Sequence, residues 1–488
     1  MHDGILRLQQ LLLAMHGLVC LQQPHVEMSP ADAMRRLAKE CEHLNVHAWD
    51  VYGDFPNSKT TTSATTNSVE EKDKFGSSRS VLRRLENELS QAFGKEDAVF
   101  LPSGVMAQAI ALLIHRDNWN KSSEKKRKKT DTNEESPHAD TTTVRHCNAF
   151  ACHHSSHLLL HEEDSYHELL GMQAFILSTI NKNPEEQGDW HVPPLTYDHV
   201  QQHELSGGGL DVHTLLLELP HRELGGKLTP WKDVLQMSAY CRAQGIAFHC
   251  DGARIFEAAA GYAKFETSSS SSSMDAPMMP LEELARPFDS VYISFYKGLG
   301  GLSGAMLLGT RDFCNQARVW LRRFGGNLYT LLPYAVAGWA GYRRHVLLLP
   351  SGDADEGNDD KNGERKLLSF AQKQQKLVVI VAALSIDPII SSIVSFDPRV
   401  PQTNMVHGYF RYEPATCQAA LDQVFKQTGV QVLRRVKPVP EHHPAFAAGY
   451  RSTFEWVIGE FNGNLPHDVF LSGWSHLATV LLNNGREE

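Results

Sequence analysis

Two short apolar runs between residues 289 and 309 are separated by one lysine and a cluster of glycines, and that pattern restricts the stretch to strand, loop, strand. The first run, residues 291–295, holds Val291, Tyr292, Ile293 and Phe295, residue types that suit a pleated, buried strand. Lys297 follows, then Gly298, Gly300, Gly301 and Gly304, before a second run at 305–308 closes on Gly309. Glycine leaves out the Cβ where another group must come close to the backbone. The stretch therefore reads as a strand delivering a lysine to its carboxyl end. Desolvation among aromatic and apolar neighbours would lower that lysine's pKa, and its amine could then attack a carbonyl carbon.

A second strand-like run, residues 246–250, ends in Asp251-Gly252-Ala253-Arg254 and leads into a helical pattern up to residue 262. A carboxylate and a lysine at the ends of two strands, far apart in sequence, suit a pyridoxal-phosphate site. There the lysine holds the aldehyde as a Schiff base and the aspartate keeps the pyridine nitrogen protonated, which makes the ring an electron sink. Either stretch alone would read as a plain strand-end turn.

Three segments carry a family resemblance. His249-Cys250-Asp251-Gly252-Ala253-Arg254 is similar to the His-Leu-Asp-Gly-Ala-Arg pattern of the threonine aldolase and β-eliminating lyase family, fold type I. Phe288-Asp289-Ser290-Val291 through Lys297-Gly298-Leu299-Gly300 is similar to that family's strand and Schiff-base lysine, and Pro102-Ser103-Gly104-Val105-Met106 resembles its Pro-Ser-Gly-Thr-Met turn. The three occur in the family's order, within roughly residues 50–340. The resemblance implies an α/β fold: a large domain with a mostly parallel central sheet, and a small C-terminal α/β domain. The expected boundaries are 1–49 for an N-terminal extension and helix, 50–349 for the cofactor-binding domain and 350–488 for the small domain. Polar, low-complexity insertions are expected near 58–74, 118–143 and 267–277.

The totals fit such a chain. With 488 residues there is room for more than one domain, and 42% hydrophobic residues can fill a sizeable core. A formal net charge of -10 argues against general nucleic-acid affinity, and the basic run at 125–129 reads as part of a solvated loop. Eight scattered cysteines without a Cys-x-x-Cys pair point to a reduced, cytoplasmic setting. No apolar run reaches the length of a membrane span. His146, Cys147, Cys152, His153, His154 and His157 look like a metal cluster only superficially, because their spacing matches no zinc pattern.

The remaining candidates follow from the turn chemistry and the resemblance. Ser103-Gly104-Val105 opens a helix over residues 105–115, whose free N–H groups and positive dipole end suit a phosphate. Val105 stands where the family has threonine, so backbone donors must suffice. His157, before Glu162 and Gly171, matches the family's histidine that lies flat on the cofactor ring; a surface histidine is the alternative. Arg451, ahead of a strand at 453–458, is the nearest match to the arginine that takes the substrate carboxylate, while Glu455-Trp456 replaces the family's Thr-His. Residues 218–223 also depart from the family's Glu-Asn-Thr-His-Asn, and the first 28 residues match nothing. The implied activity is retro-aldol cleavage of a β-hydroxy amino acid to glycine and an aldehyde by a homodimer or homotetramer. β-Elimination, racemisation, or cofactor binding with reduced turnover are the alternatives.

Overall fold

Apolar runs of strand length become strands when both faces can be covered. The computed structural model describes residues 19–25, 28–46, 80–130 (126–130 by backbone alone), 147–180, 189–203, 205, 211–265, 278–328, 331–349 and 367–484. Its strands are β1 (Val19–Cys20), β2 (Asp97–Leu101), β3 (Ala149–His153), β4 (Gln173–Leu177), β5 (Thr214–Glu218), β6 (Ala247–Gly252) and β7 (Ser290–Ser294). They continue with β8 (Ala305–Gly309), β9 (Val394–Asp397), β10 (Met405–Phe410), β11 (Val430–Gln431), β12 (Lys437–Pro438) and β13 (Ser452–Val457).

Seven strands form the central sheet in the order β2-β8-β7-β6-β5-β3-β4. Strands β3 to β7 run parallel, and β8 is antiparallel to both of its neighbours, β7 and β2. Helices cover both faces, so β2, β3, β5, β7 and β8 are buried along their whole length. This is the expected α/β fold with a mostly parallel sheet. A second, antiparallel sheet, β12-β13-β10-β9, packs its inner face on an aromatic core that includes Phe396, Phe410, Phe454, Trp456 and Trp474. Two helices begin on serine caps: Ser29 accepts from the Asp32 N–H and Ser80 from the Arg83 N–H.

Two expectations change. The helix expected over 105–115 runs from Gly104 to Thr130, so part of the presumed loop at 118–143 is helical. Its Lys, Glu and Arg are good helix formers with no breaker among them, and the Asn120 side-chain amide ties the helix to Cys147, donating to its carbonyl at 3.2 Å and accepting from its N–H at 3.0 Å. Residues 19–25, which matched nothing, join the C-terminal core. β1 pairs with β11, and the Leu21 carbonyl accepts from Trp456 Nε1 and Asn462 Nδ2, both at 2.9 Å. Arg318, near the end of the Arg311–Arg323 helix, points inward to Asp97 at 2.7 Å and Glu86 at 3.1 Å. The insertions at 58–74 and 267–277, the segment Val51-Tyr52-Gly53 and Tyr329 lie outside the described residues.

Candidate active site

In a parallel sheet the strand carboxyl ends gather at one edge, and side chains in register there become neighbours. Glu218 at the end of β5 is in register with Asp251 of β6, which is in register with Tyr292 of β7. Beyond β7 the chain continues through Phe295 and Tyr296 to Lys297. The Lys297 Nζ sits 4.8 Å from the centre of the Tyr296 ring, and among the described residues it has no hydrogen bond or ion pair. Burial, then the positive charges of Arg254 and Arg222, lower its pKa to about 8, against an opposing pull from Glu455 and Asp251. The nearby glycines serve the chain itself. A Cβ on Gly298 would fall 2.2 Å from Glu257 Oε1, and one on Gly301 2.8 Å from the Phe295 carbonyl.

Asp251 is buried, and its partners are chained back into the core. Gln108 Nε2 donates to Oδ2 at 2.5 Å, and the Ala253 N–H donates to Oδ1 at 3.1 Å. The Gln108 amide must turn its NH2 to the carboxylate, so its Oε1, 2.8 Å away, accepts from His249 Nε2–H. Burial keeps His249 neutral, with its pKa down at about 3. Its Nδ1 therefore accepts from the Ser290 hydroxyl at 2.7 Å, and Ser290 in turn accepts from His115 Nε2–H at 2.7 Å. Every donor in this chain points towards Asp251. Burial, and next the negative charge of Glu218, still push the Asp251 pKa up to about 7, while His157 and the Ala253 N–H pull it down.

His157 opens a one-turn helix, His157–Leu160. Its N–H donates to Glu218 Oε2 at 3.1 Å, and its Nδ1 lies 3.1 Å from Glu162 Oε1. The Glu162 hydrogen bond, reinforced by Asp251 and Glu218, raises the imidazole pKa above its ordinary value despite burial. Ser103 and Gly104 form the turn from β2 into the Gly104–Thr130 helix. The Ser103 Oγ accepts from the Met106 N–H at 3.3 Å, and a Cβ on Gly104 would fall 2.0 Å from Tyr292 Oη. Val105 is exposed beside them.

A cavity of about 250 Å³ opens at Lys297, lined by Arg254, Glu257, Lys373, Asn404 and Glu455 among others. A larger one of about 420 Å³ adjoins it through Pro24, Glu455 and Val457 and holds His154, Ser155, Arg222 and His443. Glu455 lies between two guanidinium groups, 2.9 Å from Arg222 Nε and 3.8 Å from an Arg254 terminal nitrogen. Those arginines hold its pKa below the usual carboxylate value.

Lys297, Asp251, His157 and Arg254 are thus coupled at one edge of the sheet. Arg451 is not brought to them. Its guanidinium donates to the Phe446 and Tyr450 carbonyls at 3.0 Å, lies over the Phe446 ring, and lines neither cavity. Sequence reading missed Gln108, Glu455 and Lys373. Gln108 was detectable as a lone amide in an apolar helix one turn after Gly104, and Glu455 as a carboxylate within an otherwise neutral strand. Lys373 gave no signal, since its cavity exists only after packing.

The donor set fits pyridoxal phosphate. Among the described residues it offers a primary amine without a hydrogen bond or ion pair at Lys297, and at Asp251 a buried carboxylate without an ion pair. A helix start without a side chain at Gly104 completes it.

Known proteins agree with this geometry. The family model described as beta-eliminating lyase matches residues 59–381. A probable low-specificity L-threonine aldolase 2 of Arabidopsis thaliana is 25% identical over 345 residues, covering 69% of this chain and 79% of that protein. The low specificity L-threonine aldolase of Saccharomyces cerevisiae is also 25% identical, but the match spans only half of each chain. Among solved structures, a candidate L-allo-threonine aldolase from Listeria monocytogenes superposes with a TM-score of 0.65 at 25% identity, covering 97% of this chain and 99% of that one. A match across 323 residues, with the lysine and aspartate strands inside it, places this chain in the beta-eliminating lyase family of pyridoxal-phosphate-dependent enzymes.

Proposed function

We propose that the protein cleaves a β-hydroxy amino acid by a retro-aldol reaction, giving glycine and an aldehyde. The observation that carries this reading is the convergence of Lys297, Asp251 and His157 at one sheet edge, where the Asp251 carboxylate acts electrostatically on both of the others. Bound pyridoxal phosphate supplies an electron sink for the charge left on Cα when the Cα–Cβ bond breaks. Asp251 would hold the ring nitrogen, Lys297 would bind the aldehyde, and the N–H groups at Gly104 and Val105 would meet the phosphate. His157 has the tautomer a base needs: with Nδ1–H donating to Glu162, Nε2 is left to take the proton of the β-hydroxyl. Lys297, with its lowered pKa, can exchange a proton with Cα near neutral pH.

Incubation of purified protein with L-threonine, L-allo-threonine and L-serine tests the reading. Aldehyde and glycine from the first two support it. Pyruvate from serine without aldehyde from any of them would replace aldol cleavage by β-elimination. Lys297→Ala should abolish both the product and the visible absorbance of the bound cofactor. Family membership supports a homodimer or homotetramer, measurable by sedimentation, and the eight free thiols support a cytoplasmic setting.

A further inference from the structure

The 250 Å³ cavity at Lys297 contains a charge imbalance that the proposed steps do not use. Six of its lining side chains carry formal charge: Arg254, Lys297, Lys373, Glu257, Glu455 and Glu460. Two of the acids are already paired with arginines outside the lining, Glu455 with Arg222 at 2.9 Å and Glu460 with Arg344. Arg254 shares Glu455 at 3.8 Å, so that with Arg222 and Arg344 counted five cations stand against the three carboxylates Glu257, Glu455 and Glu460.

Lys373 is the unusual member. It lies on the Phe370–Ile386 helix, is 2% exposed, and among the described residues its Nζ has no hydrogen bond or ion pair, only the face of Phe370 at 4.8 Å. Glu257 and Glu460 act on it only from beyond ion-pair distance, and a buried ammonium without a direct partner is costly to maintain, so its position suits an anion that arrives from outside. Arg451, the arginine expected to meet the substrate carboxylate, is committed to backbone carbonyls elsewhere.

We propose that the α-carboxylate of the amino acid substrate is received by Lys373 together with Arg254, in the cavity that Lys297 opens into. This rests on reading the site as one that handles amino acids, and it assigns Lys373 a role in substrate binding and orientation. An anion at this point balances the cavity. It also fixes one end of the substrate beside Lys297, which is what selects the Cα bond to be broken.

The test compares two amines on the holoprotein, glycine and methylamine, which differ by the carboxylate. Each is titrated by its effect on the visible absorbance. Lys373→Met should weaken glycine by about ten- to a hundredfold, the range for losing a charge-assisted hydrogen bond, and leave methylamine within about twofold. Lys373→Arg should recover most of the loss, and Arg451→Ala should leave glycine within about twofold. Lys373→Gln carries the same comparison if the Met variant does not fold. Equal losses for both amines, no loss for either, or a loss for glycine in Arg451→Ala would overturn the assignment. A wild-type protein that shows this dependence yet cleaves no β-hydroxy amino acid refutes the aldol reading and keeps the carboxylate site. One that cleaves threonine with an unchanged KM in Lys373→Met does the reverse.

Discussion

Asp251 is held by hydrogen bonds that begin four groups away, at His115, and the direction of each is fixed by the next. Removing the last donor should therefore act on the carboxylate itself. In Gln108→Leu the charged form of Asp251 loses a charge-assisted bond, and its pKa, already raised by burial, moves further up. More of it is then protonated at neutral pH, so apoprotein titrated with pyridoxal phosphate should bind about ten- to a hundredfold more weakly. The His157 pKa is raised as well, but because its charged form is favoured. Glu162 raises its pKa by favouring the imidazolium, whereas a base must be neutral. Cleavage should therefore increase with pH through a transition above the ordinary imidazole value, and Glu162→Gln should move that transition to lower pH. A pH profile of kcat/KM reads both, and a transition that stays in place in Glu162→Gln would remove His157 from the role.

Among the elements, the start of the Gly104–Thr130 helix depends on a strand distant in sequence. Tyr292 on β7 fills the space where a Cβ on residue 104 would lie, with its Oη at 2.0 Å and its Cζ at 2.7 Å. Gly104→Ala must push the helix start away from the sheet edge, at a cost of about 1–3 kcal/mol for overpacking. The expected outcome is a lower melting temperature together with weaker cofactor binding. Tyr292→Phe should restore only part of either, because the ring carbon stays in the way. The Ser103-Gly104 motif was legible in the sequence as a helix start, but the reason for its glycine was not, since Tyr292 is 188 residues away.

The whole molecule is closed by its N-terminal segment. Leu21 is fully buried in the C-terminal core, and its carbonyl takes the Trp456 and Asn462 donors, while Pro24 lines both cavities. Leu21→Ala should cost about 2–5 kcal/mol, as large-to-small core substitutions do. Urea denaturation followed by tryptophan fluorescence would measure this, since Trp456 and Trp474 lie in that core. A loss below about 1 kcal/mol would mean that the segment is not integral to the core.

Much of this protein was settled by local sequence. The strands that end in Asp251 and lead to Lys297, the caps at Ser29 and Ser80, and the order of the three motifs follow from residue type and short-range spacing, which act through backbone sterics and period. They were enough to give the parallel sheet and the chemistry at its edge. Only the tertiary structure decided the rest: that Arg451 turns away, that Glu455 enters between Arg222 and Arg254, that Gln108 holds Asp251, and that Lys373 is buried at the cavity with no ion pair among the described residues. Those facts depend on which surfaces meet, and burial and charge pairing across hundreds of residues leave no mark on the spacing of neighbours along the chain.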